Sequence, residues 1–181
     1  MAMTLITNSA DTDSTDLASI SFTSSIDSTY KLYIFKYFDI NPATDAQFFS
    51  FQVNATDSTG YDRNMTTTSF QAYHTEADDG TTLGYNAGHD QDNDDQAFQI
   101  LAGEIGNGAD ESAAGTLWLF NPSNTTYVKH FYARVVINAS TDYSSDMYTA
   151  GYLNTTTAID DIQFKMSSGN MDSVIKMYGV G

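Results

Sequence analysis

The densest group of oxygen ligands in the chain is Asp90-Gln-Asp-Asn-Asp-Asp95. Carboxylates at alternate positions suit Ca²⁺, and Asp90, Asp92, Asp94 and Asp95 are the residues that would hold it. An EF-hand loop also needs a glycine at its sixth position and a glutamate at its twelfth. Counted from Asp90, those places hold Asp95 and Leu101. The residues therefore favour a solvated acidic loop, with a Ca²⁺ site completed from another loop as the alternative. No cofactor is expected.

Other chemistries fail on spacing. His74, His89 and His130 show no metal-type spacing, and no serine sits in a G-x-S-x-G setting. Gly106-Asn107-Gly108 has the glycines of a phosphate loop but neither its Lys-Ser/Thr end nor a helix to follow. Asp110/Glu111 and Asp160/Asp161 are sequence neighbours, which on a strand point to opposite faces and make a poor glycosidase pair. An enzyme is not expected. The chain has no cysteine, which removes disulfides and thiolate chemistry. Its 23 acidic against 7 basic residues, a net charge of −16, oppose binding to a phosphate backbone, so no nucleic acid is expected. No apolar run approaches a membrane span, and the start, Met-Ala-Met-Thr-Leu-Ile, lacks the basic region of a signal peptide. Synthesis and folding in a cytosol are the expectation.

The elements that would position these residues read as strands. Aromatics make up 13%, well above what a disordered acidic chain carries, so a packed core is expected over residues 1–181 as a single domain. Apolar side chains alternate at Ala18–Phe22, Phe49–Val53, Thr66–Tyr73 and Thr126–Asn138. Tyr30–Ile40 is apolar on both faces, as for a strand in the core or at a subunit interface. Tyr33, Phe35 and Tyr37 share one of its faces and, with Tyr178, are the candidate interface residues. Residues 1–16 read as a short N-terminal segment and 74–96 as a long acidic loop. No helical period persists, so the fold class is all-β: a two-sheet antiparallel sandwich, jelly-roll-like, of about eight to ten strands.

The C-terminal stretch organises this reading. Ile162, Phe164 and Met166 alternate with polar neighbours, and so do Ile175 and Met177 after the turn at Gly169-Asn170. A hairpin that closes the core, with these two apolar faces paired, is the expectation. The abundant tyrosines, twelve in all, with Asp and Asn nearby, suit either a sugar-binding face or an oligomer interface.

An ordered set of segments carries a resemblance: Ile26-Asp-Ser-Thr-Tyr30, Gly106-Asn-Gly-Ala-Asp-Glu-Ser112, Leu119-Phe-Asn-Pro122, Thr126-Tyr-Val-Lys-His130, and Ser167-Ser-Gly-Asn170 before Ile175-Lys-Met-Tyr-Gly179. From about residue 17 onward this order resembles small β-sandwich virion structural proteins of tailed bacteriophages, many of them aquatic. The resemblance implies a non-enzymatic protein of the virion surface, made in the bacterial host cytoplasm. It points first to an oligomeric capsid decoration or cement protein bound to the major capsid protein. The alternative is a tail or fibre component whose β-sandwich binds a glycan or receptor. Expected partners are the major capsid protein or another virion protein, and further copies of the chain, a trimer in the first place.

Overall fold

Period-two alternation decides which residues face inward; it does not decide which strands become neighbours. A computed structural model of the chain describes residues 2–8, 14–93 and 96–181. The described residues form thirteen strands. The first five are β1 (Met3–Asn8), β2 (Ser14–Leu17), β3 (Ile20–Phe22), β4 (Leu32–Pro42) and β5 (Gln47–Ala55). Next come β6 (Met65–Thr75), β7 (Thr81–Tyr85), β8 (Gln99–Ile105) and β9 (Ala113–Phe120). The last four are β10 (Lys129–Ala139), β11 (Tyr143–Leu153), β12 (Ile159–Met166) and β13 (Met171–Val180).

All pairings are antiparallel. One wall runs β1-β13-β4-β9-β10-β11-β6-β7, with β2 also on β13. A second run, β8-β5-β12-β3, joins β10 where Ala139 meets Ile105. The whole is one continuous sheet, strongly curled into a half-barrel. Strands β1, β2 and β7 exceed the expected number because none alternates cleanly: β1 sets Leu5 beside Ile6, and β2 and β7 are short and mostly polar. Each adds to an edge that a neighbour already provides, so none needs a strong alternation of its own. The stretch 74–96 is accordingly not one loop. It contains the turn into β7, where the Thr75 hydroxyl accepts from the Gly80 amide at 2.9 Å and donates to Asp79 at 2.8 Å.

The expected C-terminal hairpin is not formed. β12 pairs with β5 and β3, whereas β13 pairs with β4, β1 and β2. Residues 167–170 instead carry the chain from one wall to the other. Gly169 supplies the positive φ of 72° there, and the Ala43 amide donates to the Asn170 carbonyl at 2.8 Å. The inward assignments hold: Ile162, Phe164, Ile175 and Met177 are fully buried. Two strands with buried inner faces pair across a hairpin or face each other across a core equally well by pattern. Here they face each other.

Rings hold the two walls together. Phe164 on β12 meets Phe35 and Tyr37 on β4, Phe22 on β3, and Phe49 and Phe51 on β5, with centroids 5.4–6.3 Å apart. Phe51 also meets Phe131 of β10 edge-on at 5.0 Å. Tyr33, Phe35 and Tyr37, at 1% exposure or less, therefore belong to this chain's own core and have no surface for a partner. The physical reason is the opposite wall: only the Tyr33–Tyr37 face has aromatic partners across the core. The Tyr33 hydroxyl is anchored by the 26–30 turn, accepting from the Asp27 amide at 2.9 Å. The Thr29 hydroxyl, together with the Thr29 amide 2.8 Å from the Asp27 carboxylate, holds that carboxyl below its usual range.

Truncating the hub should open the core. We expect Phe164→Ala to cost about 3–5 kcal/mol and Ile175→Ala about 2–5 kcal/mol in urea unfolding, as for well-packed core side chains. Losses under about 1 kcal/mol at both sites would contradict this packing.

Candidate functional site

The same alternation that buries one face of β13, β4, β9, β10, β11 and β6 presents the other to solvent. In a half-buried antiparallel sheet this outer face is usually polar. Here two neighbouring cross-strand rows depart from that rule. In the first, Tyr178 lies opposite Ile34, Ile34 opposite Trp118, and Trp118 opposite Tyr132. In the second, Lys176 lies opposite Lys36, Lys36 opposite Thr116, and Thr116 opposite Arg134. That row continues through Tyr148 and Phe70 to Tyr85.

The aromatic side chains on this face are ordered against one another. Trp118 stacks on Tyr132 at 4.5 Å, and Phe120 packs on the same Tyr132 ring at 5.7 Å. Phe70 and Tyr148 stack at 4.9 Å with their planes 3° apart. The Arg134 guanidinium lies 5.1 Å over Tyr148 and grips Asp146 through Nε at 2.9 Å and Nη2 at 2.7 Å. Phe120, Tyr132, Phe70 and Tyr85 nevertheless remain 37–59% exposed. A contiguous exposed aromatic patch of this kind marks an interaction surface more than a solvated one.

Its charge is also unlike that of the rest of the chain. Neither row contains a carboxylate, and Lys176, Lys36 and Arg134 are three of only seven basic residues. Lys176 and Lys36 stand directly opposite each other, an arrangement that disfavours the isolated sheet. Neither makes an ion pair among the described residues; Lys176 lies 5.4 Å over the Phe38 ring. These rows thus set rings beside two lysines without ion pairs among the described residues and beside an Arg134 neutralised by Asp146, on a protein of net charge −16.

The other sequence candidates fall elsewhere. Tyr178 does lie on this face, half-buried, apart from Tyr33, Phe35 and Tyr37. Of the acidic cluster, Asp90 accepts from the Tyr85 hydroxyl at 2.5 Å and Asp92 forms a bridge with Thr66. Asp94 and Asp95 lie outside the described residues, among which no group of side chains could hold a metal ion. The Gly106–Gly108 loop wraps its own acid: the Gly108 amide donates to Glu111 at 2.6 Å. His74 is exposed beside Asp78, and His130 sits on the outer face against Tyr152.

His89 has a different setting, in a cleft between β8 and the far ends of β6 and β11. Its ring meets Phe48 edge-on at 5.6 Å, and Nδ1 lies 3.0 Å from the Asn86 amide. In the same cleft the Tyr143 hydroxyl donates to Glu104 at 2.8 Å. Burial holds the His89 imidazole below its ordinary value, against the opposing pull of Glu104 and Asp90.

Trp118, Tyr132, Tyr148 and Phe70 are the surface residues that sequence reading missed. A signal for one of them, Tyr132, was present in Thr126–Asn138, where Phe131, Ala133, Val135 and Ile137 mark the inner face. The complementary positions, His130, Tyr132, Arg134 and Val136, are too aromatic and apolar for a face meant only for water. Comparison of the chain with protein-family models and with curated proteins finds no match.

The histidine yields a pH prediction. Unfolded His89 takes up its proton near the ordinary imidazole value, whereas the folded group does so only at lower pH. Its contribution to stability is therefore full above that ordinary value and is lost as pH falls through it toward the lowered one. Thermal melts between about pH 7 and 5.5 should show a shallower acid-side decline for His89→Gln than for the unaltered protein. Parallel declines would mean that His89 is not held neutral by the fold.

Proposed function

We propose that this chain is a non-enzymatic structural protein of a tailed-phage particle, an oligomeric decoration or cement protein on the capsid surface. The observation that carries the reading is the ring-bearing outer face of the sheet, with Lys36 and Lys176 opposite each other on it. An interface core enriched in Trp, Tyr, Phe and Arg, and poor in carboxylates, is the composition that protein–protein contacts use. The ordered sequence segments that resemble phage virion proteins supply the biological setting. In the finer architectural reading, the run β8-β5-β12-β3 serves as the second layer of a jelly-roll-like sandwich.

On this reading the outer face meets the major capsid protein or another copy of this chain, a trimer in the first place. The acidic remainder of the surface keeps the free subunit soluble and away from packaged nucleic acid. Quantitative mass spectrometry of purified particles tests the assignment directly. A copy number comparable with that of the shell subunit fits a decoration protein. A few copies per particle would place it in the tail or a fibre, and absence from particles would end the proposal.

The surface can be tested on the isolated chain. The double variant Trp118→Ala/Tyr132→Ala should cost more folding stability than the about 0.5–1.5 kcal/mol that a stacked pair adds beyond its burial. It should also abolish self-association in sedimentation velocity or binding to purified shells. Unchanged association would remove the outer face as the interface.

A further inference from the structure

A separate part of the molecule, away from the outer face, forms a polar cleft. Toward Thr75 and Tyr143, the inward faces of β6 and β11 change from core residues to Gln71, Tyr73 and Tyr143. Together with Glu104 of β8 they border an open cleft of about 360 Å³. A deeper recess of about 190 Å³ shares Gln71, Glu104 and Tyr143 and reaches Asn86 and His89. This is the size range of small-ligand sites.

The backbone is shaped to build it. Glu104 has a φ of 57°, and it is the only long side chain among the described non-glycine residues in that left-handed region. Such a conformation suits Asn or Asp better, and where it persists it commonly re-aims a side chain at a site. Beside it, a Cβ on Gly103 would lie 2.8 Å from the His89 ring and 3.0 Å from Phe48, so a side chain there would push these rings aside. The Tyr143 hydroxyl holds Glu104 Oε2 at 2.8 Å, and Oε1 has no protein hydrogen bond among the described residues. The amides of Gln71 and Asn86 converge on the same recess, 3.4 Å apart. Tyr73 and Tyr143 give it ring walls, with centroids 5.4 Å apart and planes tilted by 54°. Ser145, opposite Tyr73 and on the same inward face as Tyr143, has a buried hydroxyl without a protein partner.

The chemistry of these groups selects a ligand. No Lys or Arg lines either part, and a carboxylate projects into both, which disfavours anions. A wholly apolar ligand would strip water from Glu104, Gln71 and Asn86 without replacing their hydrogen bonds. Planar amides, one carboxylate and tilted tyrosine rings fit a ring that bears hydroxyls at its edge and C–H groups on its face. We propose that this cleft binds a neutral sugar. With one carboxylate in the lining there is no acid–base pair for cleaving a glycosidic bond, so the site holds the sugar without hydrolysing it. The outer face of the sheet plays no part in this assignment, and either proposal can fail alone.

Titration of the isotope-labelled full chain with glucose, galactose, mannose and N-acetylglucosamine tests the site by NMR. At least one of these sugars should give saturable shifts at Gln71, Asn86, His89 and Tyr143. Tyr73→Ala and the shape-conserving Glu104→Gln should each weaken that binding about tenfold or more, while Trp118→Ala leaves it unchanged. Circular dichroism and melting temperature identify any variant that has lost its fold, and Glu104→Gln then decides alone. Three outcomes overturn the proposal: no saturable shift with any neutral sugar, shifts that map outside the cleft, or preferential binding there of glucuronic acid or tetramethylammonium.

Discussion

Everything in this fold depends on ring contacts made across the core and not along a ladder. Phe164 is hydrogen-bonded through its backbone to β5 and β3, yet its ring reaches Phe35 and Tyr37 on the opposite wall. A curled sheet joined at one corner by Ala139 and Ile105 has little backbone pairing to keep its walls together. Apolar burial and edge-to-face packing do that instead, and they have no register to slip. The ladders set the shape of each wall, and the rings set the distance between them.

That constraint fixes where function can lie. Inward positions of β4, β5, β10 and β12 are committed to the core, so recognition is left to the outer rows and to places where the walls diverge. The outer rows are continuous and ring-bearing, which suits a broad partner. The diverging end is concave and polar, which suits a small one. The buried Lys129 shows how strictly the interior is managed between them. Its ammonium donates to the carbonyls of Thr155 and Thr157, and burial still lowers its pKa.

Much of the architecture was legible in the sequence because alternation reports burial residue by residue. The inward faces at Ile162–Met166, Ile175/Met177 and Phe131–Ile137 follow from pattern alone. Partner choice was not legible, since alternation is blind to whether an apolar face meets its neighbour in sequence or a strand from another part of the chain. The same blindness misassigned Tyr33, Phe35 and Tyr37, because Tyr30–Ile40 is apolar on both sides and only the opposite wall breaks the tie. The outer face was half legible, through Tyr132 and Arg134, but its continuity arises from register between seven strands. The cleft was not legible at all. Gln71, Glu104 and Tyr143 are far apart in the chain, and each looks ordinary in its own segment.

The ladders also differ in regularity, and that difference has a geometric consequence. From β9 through β10, β11 and β6 to β7 the pairing runs without a shift in register. The β5–β8 and β5–β12 ladders are both interrupted by irregularities. Uninterrupted pairing makes an even plate, whereas a bulge bends its strand and increases the local twist. The β8–β5–β12 side therefore bends and twists away from the evenly paired β10–β11–β6 side. The cleft lies along that seam, with Glu104 on the bulged side and Gln71, Tyr73 and Tyr143 on the even one.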